Sequence, residues 1–243
     1  MSSAPSILSN HRRALRASLG LLATLAFLLV AVGRHPDIEA PRTTLTVIGD
    51  LDSAIAGWFD NIRIGVLTGL FKVLNLLGGG WVTIPLRVAV TAWLLIRRRF
   101  VALSTFVLAW AASEVLLAWL KGFFHRGRPL GALVETSGFS FPSGHAVAGS
   151  ALVVTLVLVS FPPGARRRKW ELLAVGFAFV MALSRVYLAA HWFSDVVTGV
   201  LLGSGIALGS AALVTEITNL LIARGAISQP ATPPGDPLDP RLE

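Results

Sequence analysis

Long apolar runs separated by short clusters of arginine and lysine are the feature that most limits how this 243-residue chain can fold. A helix that crosses hydrocarbon needs roughly 20 mostly apolar residues, and it must satisfy its own backbone because lipid offers no partner. Six segments meet or approach that requirement, at about 14–33, 80–96, 100–121, 144–161, 170–189 and 192–215. Composition agrees, with 54% hydrophobic and 14% charged residues against about 25% charged in soluble domains. The expected fold class is all-α, a polytopic bundle of six transmembrane helices over residues 1–224. A proline-rich tail, 225–243, reads as disordered and cytoplasmic.

The net charge of +8 does not point to nucleic acid, because the basic residues fall in clusters between apolar runs. His11-Arg12-Arg13 with Arg16, Arg97–Arg99, Arg166–Lys169 and Arg224 all lie on one side of a six-span chain. The excess of positive charge on cytoplasmic loops makes that side internal, with both termini inside a cell membrane. A signal peptide cleaved near Ala31-Val32-Gly33 is the competing reading of the first span and leaves the later orientation unchanged. No cysteine is present, so disulfides and cysteine metal sites are excluded. Segment 54–79 carries Asn61, Gly65, Thr68, Lys72 and Asn75 on one helical stripe opposite Val66, Leu70, Phe71 and Leu74. That pattern predicts an external amphipathic helix lying on the outer leaflet.

Three polar segments collect at the external ends of the spans: "KGFFHRGRP" (Lys121–Pro129), "PSGH" (Pro142–His145) and "SRVYLAAHWFSD" (Ser184–Asp195). Each has a bland reading alone. Lys121 and Arg128 could snorkel to the interface, and His191 with Asp195 could be an ordinary i, i+4 pair. Together they suit phosphoryl transfer, where positioning and charge stabilisation supply most of the catalysis. Lys121, Arg128 and Arg185 are cations for phosphoryl oxygens. Ser143 fits an N-cap, and the amides of Gly144 and His145 would face an anion at a helix N-terminus. Asp195 can hold one nitrogen of His191 and leave the other as nucleophile, with His145 as general acid. Arg185 and His191 lie about 240° apart on a continuous helix, so a break is expected near Leu188–Ala190.

The patterns K-x6-R-P, P-S-G-H and S-R-x5-H-x3-D, in that order over 121–195, resemble the three signatures of the type-2 phosphatidic-acid phosphatase superfamily. The resemblance implies a cofactor-free and metal-independent lipid phosphatase that forms a phosphohistidine at an external site. It implies the same roles: His191 as nucleophile, His145 as acid, Asp195 as orienter, and Lys121, Arg128, Ser143, Gly144 and Arg185 as phosphate ligands. The constellation is also similar to that of the vanadate-dependent haloperoxidases, which are soluble, unlike this chain. A non-catalytic lipid-binding or transport protein on the same fold is the alternative from another class.

The expected partners are lipid phosphates and membrane lipids: a polyprenyl diphosphate such as undecaprenyl diphosphate first, then phosphatidic acid or phosphatidylglycerol phosphate. His125 and Arg126 add positive charge that would suit a second phosphate or a headgroup. Arg87 and Glu114 each lie roughly 10 Å inward from the external end of their spans. An isolated ion there costs a few kcal/mol, so the two are expected to pair.

Overall fold

The computed structural model describes residues 15–23 and 44–228, and among these it is all-helical. The helices are α1 (15–23), α2 (Thr44–Asn61), α3 (Gly65–Gly78), α4 (Gly80–Ile96), α5 (Phe100–Phe124), α6 (Gly144–Ser160), α7 (Ala165–Tyr187) and α8 (Phe193–Ala223). By length and composition α5, α7 and α8 can each cross a membrane, whereas α6 is shorter. α3 and α4 meet that test only as a pair bent by 42°. The rest of the first expected span, the basic cluster before Arg16 and the tail beyond 228 lie outside the described residues. The cluster Arg166–Lys169 forms the first turns of α7 rather than a loop, because Phe161-Pro162-Pro163-Gly164 already completes the reversal after α6.

The amphipathic helix expected over 54–79 is corrected by the structure. It is two helices, α2 and α3, interrupted at 62–64. The interruption is held by Tyr187, the chain's single tyrosine. Its hydroxyl accepts the Ile64 amide at 3.0 Å and donates to the Ile64 carbonyl at 3.2 Å. Thr68 Oγ1 lies 2.9 Å from the same hydroxyl, and Arg63 Nε donates to the Tyr187 carbonyl at 3.3 Å. Phe59 and Phe71 pack edge-on against the Tyr187 ring. Two members of the polar stripe of α3 turn inward, Thr68 on Tyr187 and Asn75 on Arg185, while Lys72 stays exposed. Val66, Leu70, Val73 and Leu77 are left exposed. An apolar outer face with internally satisfied polar groups suits lipid rather than water.

α6 is the central helix, packed between α5, α7 and α8. Its contact with α8 rests on Gly199 and Gly203, a small-xxx-small pair that lets two backbones approach. A Cβ on Gly203 would lie 2.4 Å from the Val147 carbonyl oxygen and 2.2 Å from Ser150 Oγ. One on Gly199 would lie 2.9 Å from the Ser143 carbonyl oxygen. Further around the bundle, the buried Arg87 of α4 donates to Glu114 of α5 and, at 3.4 Å, to the Ala148 carbonyl of α6. Its guanidinium also lies 5.5 Å from the Trp110 ring centre, so one cation ties three helices together.

Since the atoms facing Gly203 include backbone, Gly203→Val must push α8 away from α6. Overpacking of this kind costs about 1–3 kcal/mol, and a chain of this size loses roughly 2–4 °C per kcal/mol. The melting temperature of detergent-purified Gly203→Val is expected to fall by about 5–10 °C on that basis. Gly176→Ala, with open space around the added Cβ, is expected to melt like wild type.

Candidate active site

The site forms where the C-terminal ends of α5 and α7 meet the N-terminal ends of α6 and α8. α7 stops at Tyr187, and Leu188 to Trp192 make a tight reversal with Ala189 in the left-handed region at φ 51°. The Arg185 carbonyl accepts both the Ala190 amide, at 3.0 Å, and the His191 amide, at 3.2 Å. Without this reversal, Arg185 and His191 would point to different sides of one helix. With it, Arg185, His191 and Asp195 are all buried in the same region. The Ser143 amide donates to the Asp195 carbonyl at 3.1 Å, joining the start of α6 to the first turn of α8.

Arg128 links the connection after α5 to this reversal. Its guanidinium donates to the carbonyls of Ser137, Gly138 and Phe139 and to that of Ala190. It also lies 3.2 Å from His191 Nε2. A guanidinium can only donate, so Nε2 must be the bare, accepting nitrogen and the ring proton sits on Nδ1. Nδ1 faces Asp195 Oδ2 at 3.5 Å. Burial is the main influence on His191 and lowers its pKa to about 4; Asp195 works against that, and Arg185 and Arg128 add to it. The imidazole is therefore neutral at physiological pH.

Lys121 donates to the Phe139 carbonyl at 2.5 Å. Arg185 donates to the Asn75 side-chain oxygen, while its buried Nε has no partner. Ser143 occupies the N-cap position of α6, but the capping hydrogen bond expected of it is not formed, and its buried hydroxyl has no partner. Buried polar groups without partners are rare. Here three of them, Ser143 Oγ, Arg185 Nε and His191 Nδ1, belong to residues of this site, the last facing Asp195 at 3.5 Å without forming a hydrogen bond. His145 Nε2 lies 3.1 Å from the Asn75 carbonyl, an acceptor only, so Nε2 carries a proton. The α3 terminus packs on this ring: a Cβ at Gly78 would come within 2.8 Å of His145 Cδ2.

Arg126, expected to suit a second phosphate or a headgroup, has its guanidinium across two buried carboxylates, Asp52 Oδ2 at 2.7 Å and Asp195 Oδ1 at 2.5 Å. It also donates to Ser194 Oγ at 2.7 Å and lies over the Trp192 ring. His125 is an exposed left-handed residue at the end of α5, with its ring 4.4 Å from that of Phe139. Asp52, Asn75 and Tyr187 belong to the site's framework and were not singled out by any motif. Asp52 is one of three aspartates in the otherwise apolar α2, with Asp50 and Asp60, so no local signal marked it; the polar stripe of α3 was the signal for Asn75.

A helical bundle with three cations, a helix N-terminus and a buried neutral histidine at one end has the architecture of a membrane phosphatase. Residues 102–218 match the PAP2 superfamily. An undecaprenyl-diphosphatase from Sulfolobus acidocaldarius is 35% identical over 153 residues, 59% of this chain and 69% of the relative. Phosphatidylglycerophosphatase B of Bacillus subtilis is 29% identical over 184 residues, 74% of this chain and 86% of the relative. The crystal structure of a transmembrane PAP2-type phosphatidylglycerolphosphate phosphatase from Bacillus subtilis has the same fold. It superposes with a TM-score of 0.68 and 24% identity over 84% of this chain and 96% of that one. The chain belongs to the PAP2 superfamily.

The His191 ring is expected to remain neutral, with Nδ1 protonated, until the pH falls to about 4. Ring nitrogen shifts of selectively labelled protein measure this directly. Because the Asp195 carboxylate raises the pKa, Asp195→Asn is expected to move the midpoint lower still.

Proposed function

We propose that this protein is a membrane hydrolase that removes phosphate from a lipid phosphate or diphosphate through a phosphohistidine intermediate. The observation that carries the reading is the placement of Arg128 3.2 Å from the accepting Nε2 of His191, with Arg185 acting on the same ring, Lys121 sharing the Phe139 carbonyl with Arg128 and Ser143, its hydroxyl unpartnered, bonded through its amide to Asp195. In the first step the Nε2 lone pair forms a bond to phosphorus while the bond from phosphorus to the lipid oxygen breaks. The bound phosphoryl group, by its negative charge, favours the imidazolium form of His145, which gives its proton to the departing oxygen. Neutral His145 then takes a proton from water as that water attacks the phosphohistidine, releasing inorganic phosphate. Asp195 stabilises the positive charge that His191 carries while bonded to phosphorus. The cations compensate the equatorial oxygens throughout.

A polyprenyl diphosphate is the preferred substrate, supported by the similarity to the archaeal undecaprenyl-diphosphatase. Similarity to a phosphatidylglycerophosphatase makes phosphatidylglycerol phosphate the second reading, with phosphatidic acid beside it. With Arg126 engaged by carboxylates, a second phosphate would meet His125 and Lys121 at the rim. The reading of six spans is retained: α4, α5, α6, α7 and α8 with a first span that includes α1. The basic ends at Arg97–Arg99, Arg166–Lys169 and Arg224 then lie inside, and the site faces outward.

Purified protein in detergent is expected to release phosphate from farnesyl diphosphate in the presence of EDTA. His191→Ala is expected to lose at least about 1,000-fold in kcat while keeping its melting temperature, as removal of a nucleophile does. Near-normal turnover by His191→Ala would overturn the mechanism, and binding without release would favour a transport or scaffold protein. For sidedness, a cysteine at the exposed Leu130 is expected to react with an impermeant thiol reagent in intact cells. One at Lys169 is expected to react only after lysis, and the reverse pattern would place the site inside.

A further inference from the structure

The network around Arg126 extends the site to a helix that none of the phosphate-binding segments includes. Asp52, on α2, is buried, and each of its oxygens is engaged. Oδ1 accepts the Ser194 amide at 2.8 Å, and Oδ2 accepts Ser194 Oγ at 2.5 Å and Arg126 at 2.7 Å. The Ser194 amide belongs to the first turn of α8, where no intrahelical acceptor is available. Asp52 thus caps α8 from another helix, one residue before Asp195. Arg126 spans the gap between the two carboxylates, and its ring neighbour Trp192 donates through Nε1 to the Gly127 carbonyl at 2.9 Å. Asp195 Oδ1 is held by Arg126 and Oδ2 by the Trp192 amide at 2.9 Å, which leaves Oδ2 to face His191 Nδ1.

Two carboxylates on one guanidinium have a consequence beyond rigidity. If Arg126 paired with Asp195 alone, the cation would cancel much of the negative charge that Asp195 presents to His191. Asp52 engages the other terminal nitrogen, so Arg126 is shared and the triad keeps one net negative charge. That charge is what a positively charged His191, bonded to phosphorus, requires.

We propose that Asp52 and Arg126 are positioning residues that act through Asp195: Arg126 fixes the carboxylate, and Asp52 both caps α8 and preserves the negative charge offered to His191. The inference rests on the reading of His191 as nucleophile. The charged and titratable groups facing His191 are Asp195 of α8, Arg185 of α7, His145 of α6 and Arg128 after α5; Asp52 and Arg126 reach it only through Asp195.

The test uses full-length Asp52→Asn, Asp52→Glu, Arg126→Gln and His191→Ala in detergent, with melting temperature, steady-state kinetics on farnesyl diphosphate and titration of the His191 ring. Asp52→Asn and Arg126→Gln are each expected to lower kcat about 10–100-fold, the range for small misplacements of a reacting group. KM is expected to stay within about threefold, since no phosphate ligand is altered. The ring midpoint is expected to move in opposite directions, down for Asp52→Asn, which removes a negative charge, and up for Arg126→Gln, which removes a positive one. A purely structural role would produce no such opposed shifts. Asp52→Glu restores the charge with displaced geometry and is expected to return the midpoint toward wild type while kcat stays low. Should Asp52→Asn not fold, Asp52→Glu decides, and wild-type kcat in that variant would overturn the proposal. Folded Asp52→Asn with unchanged kcat, or with a midpoint moving the same way as Arg126→Gln, would overturn it as well. Activity retained by His191→Ala would overturn the functional reading instead, and loss there with normal Asp52 variants would overturn only this inference.

Discussion

The close approach of α6 to α8 at Gly199 and Gly203 is the contact on which the rest depends. It places the backbone of Ser143 against the first turn of α8, where the Ser143 amide reaches the Asp195 carbonyl. The two histidines come from segments 46 residues apart, and only this seam brings them to one end of the bundle. Larger residues at the two glycines would separate the helix that offers first-turn amides from the one that carries the orienting carboxylate. In lipid, where hydrophobic exclusion does not drive helices together, such close packing is a principal source of association.

Around that seam, polar groups are satisfied by sharing across helices. Tyr187 serves the interrupted backbone between α2 and α3, Arg87 serves α4, α5 and α6, and Arg126 serves α2 and α8. Each lies where an unpaired group would be costly, and each joins elements far apart in sequence. The groups proposed to bind phosphate differ in kind. Lys121 and Arg128 hold neutral carbonyls, Arg185 holds an amide oxygen, and Ser143 Oγ has no partner at all. Neutral partners leave the positive charge of these side chains uncompensated, as the proposed phosphate-binding role requires. The carboxylate that faces the Nδ1 edge of His191 is that of Asp195.

The membership of the candidate site was legible because it resides in residue types at local spacings. His191 and Asp195 are four apart, Arg128 precedes a proline, and Ser143-Gly144-His145 opens an apolar run; such patterns survive without knowledge of packing. The need for a reversal at Leu188–Ala190 was legible too, since helix geometry forbids Arg185 and His191 from sharing a face otherwise. What was misread had a common cause. The α2–α3 stretch follows helical periodicity throughout, so nothing in it marks an interruption at 62–64. Arg126 differs from Arg128 by two positions in a basic run, and nothing local shows that one meets carboxylates and the other carbonyls.

Sequence by itself determined the all-helical class, the apolar segments of the bundle, and the set of residues proposed to bind and attack a phosphoryl group, because periodicity and local spacing encode them. Tertiary structure alone decided which way polar stripes face and which charges meet. It turned Asn75 toward Arg185, set Tyr187 into the break before α3, and paired Arg126 with Asp52 and Asp195. The physical reason is that a charge or hydroxyl takes the partner within about 3 Å of it once helices have packed, and which residues become neighbours at that distance is set by close contacts between segments remote in the chain.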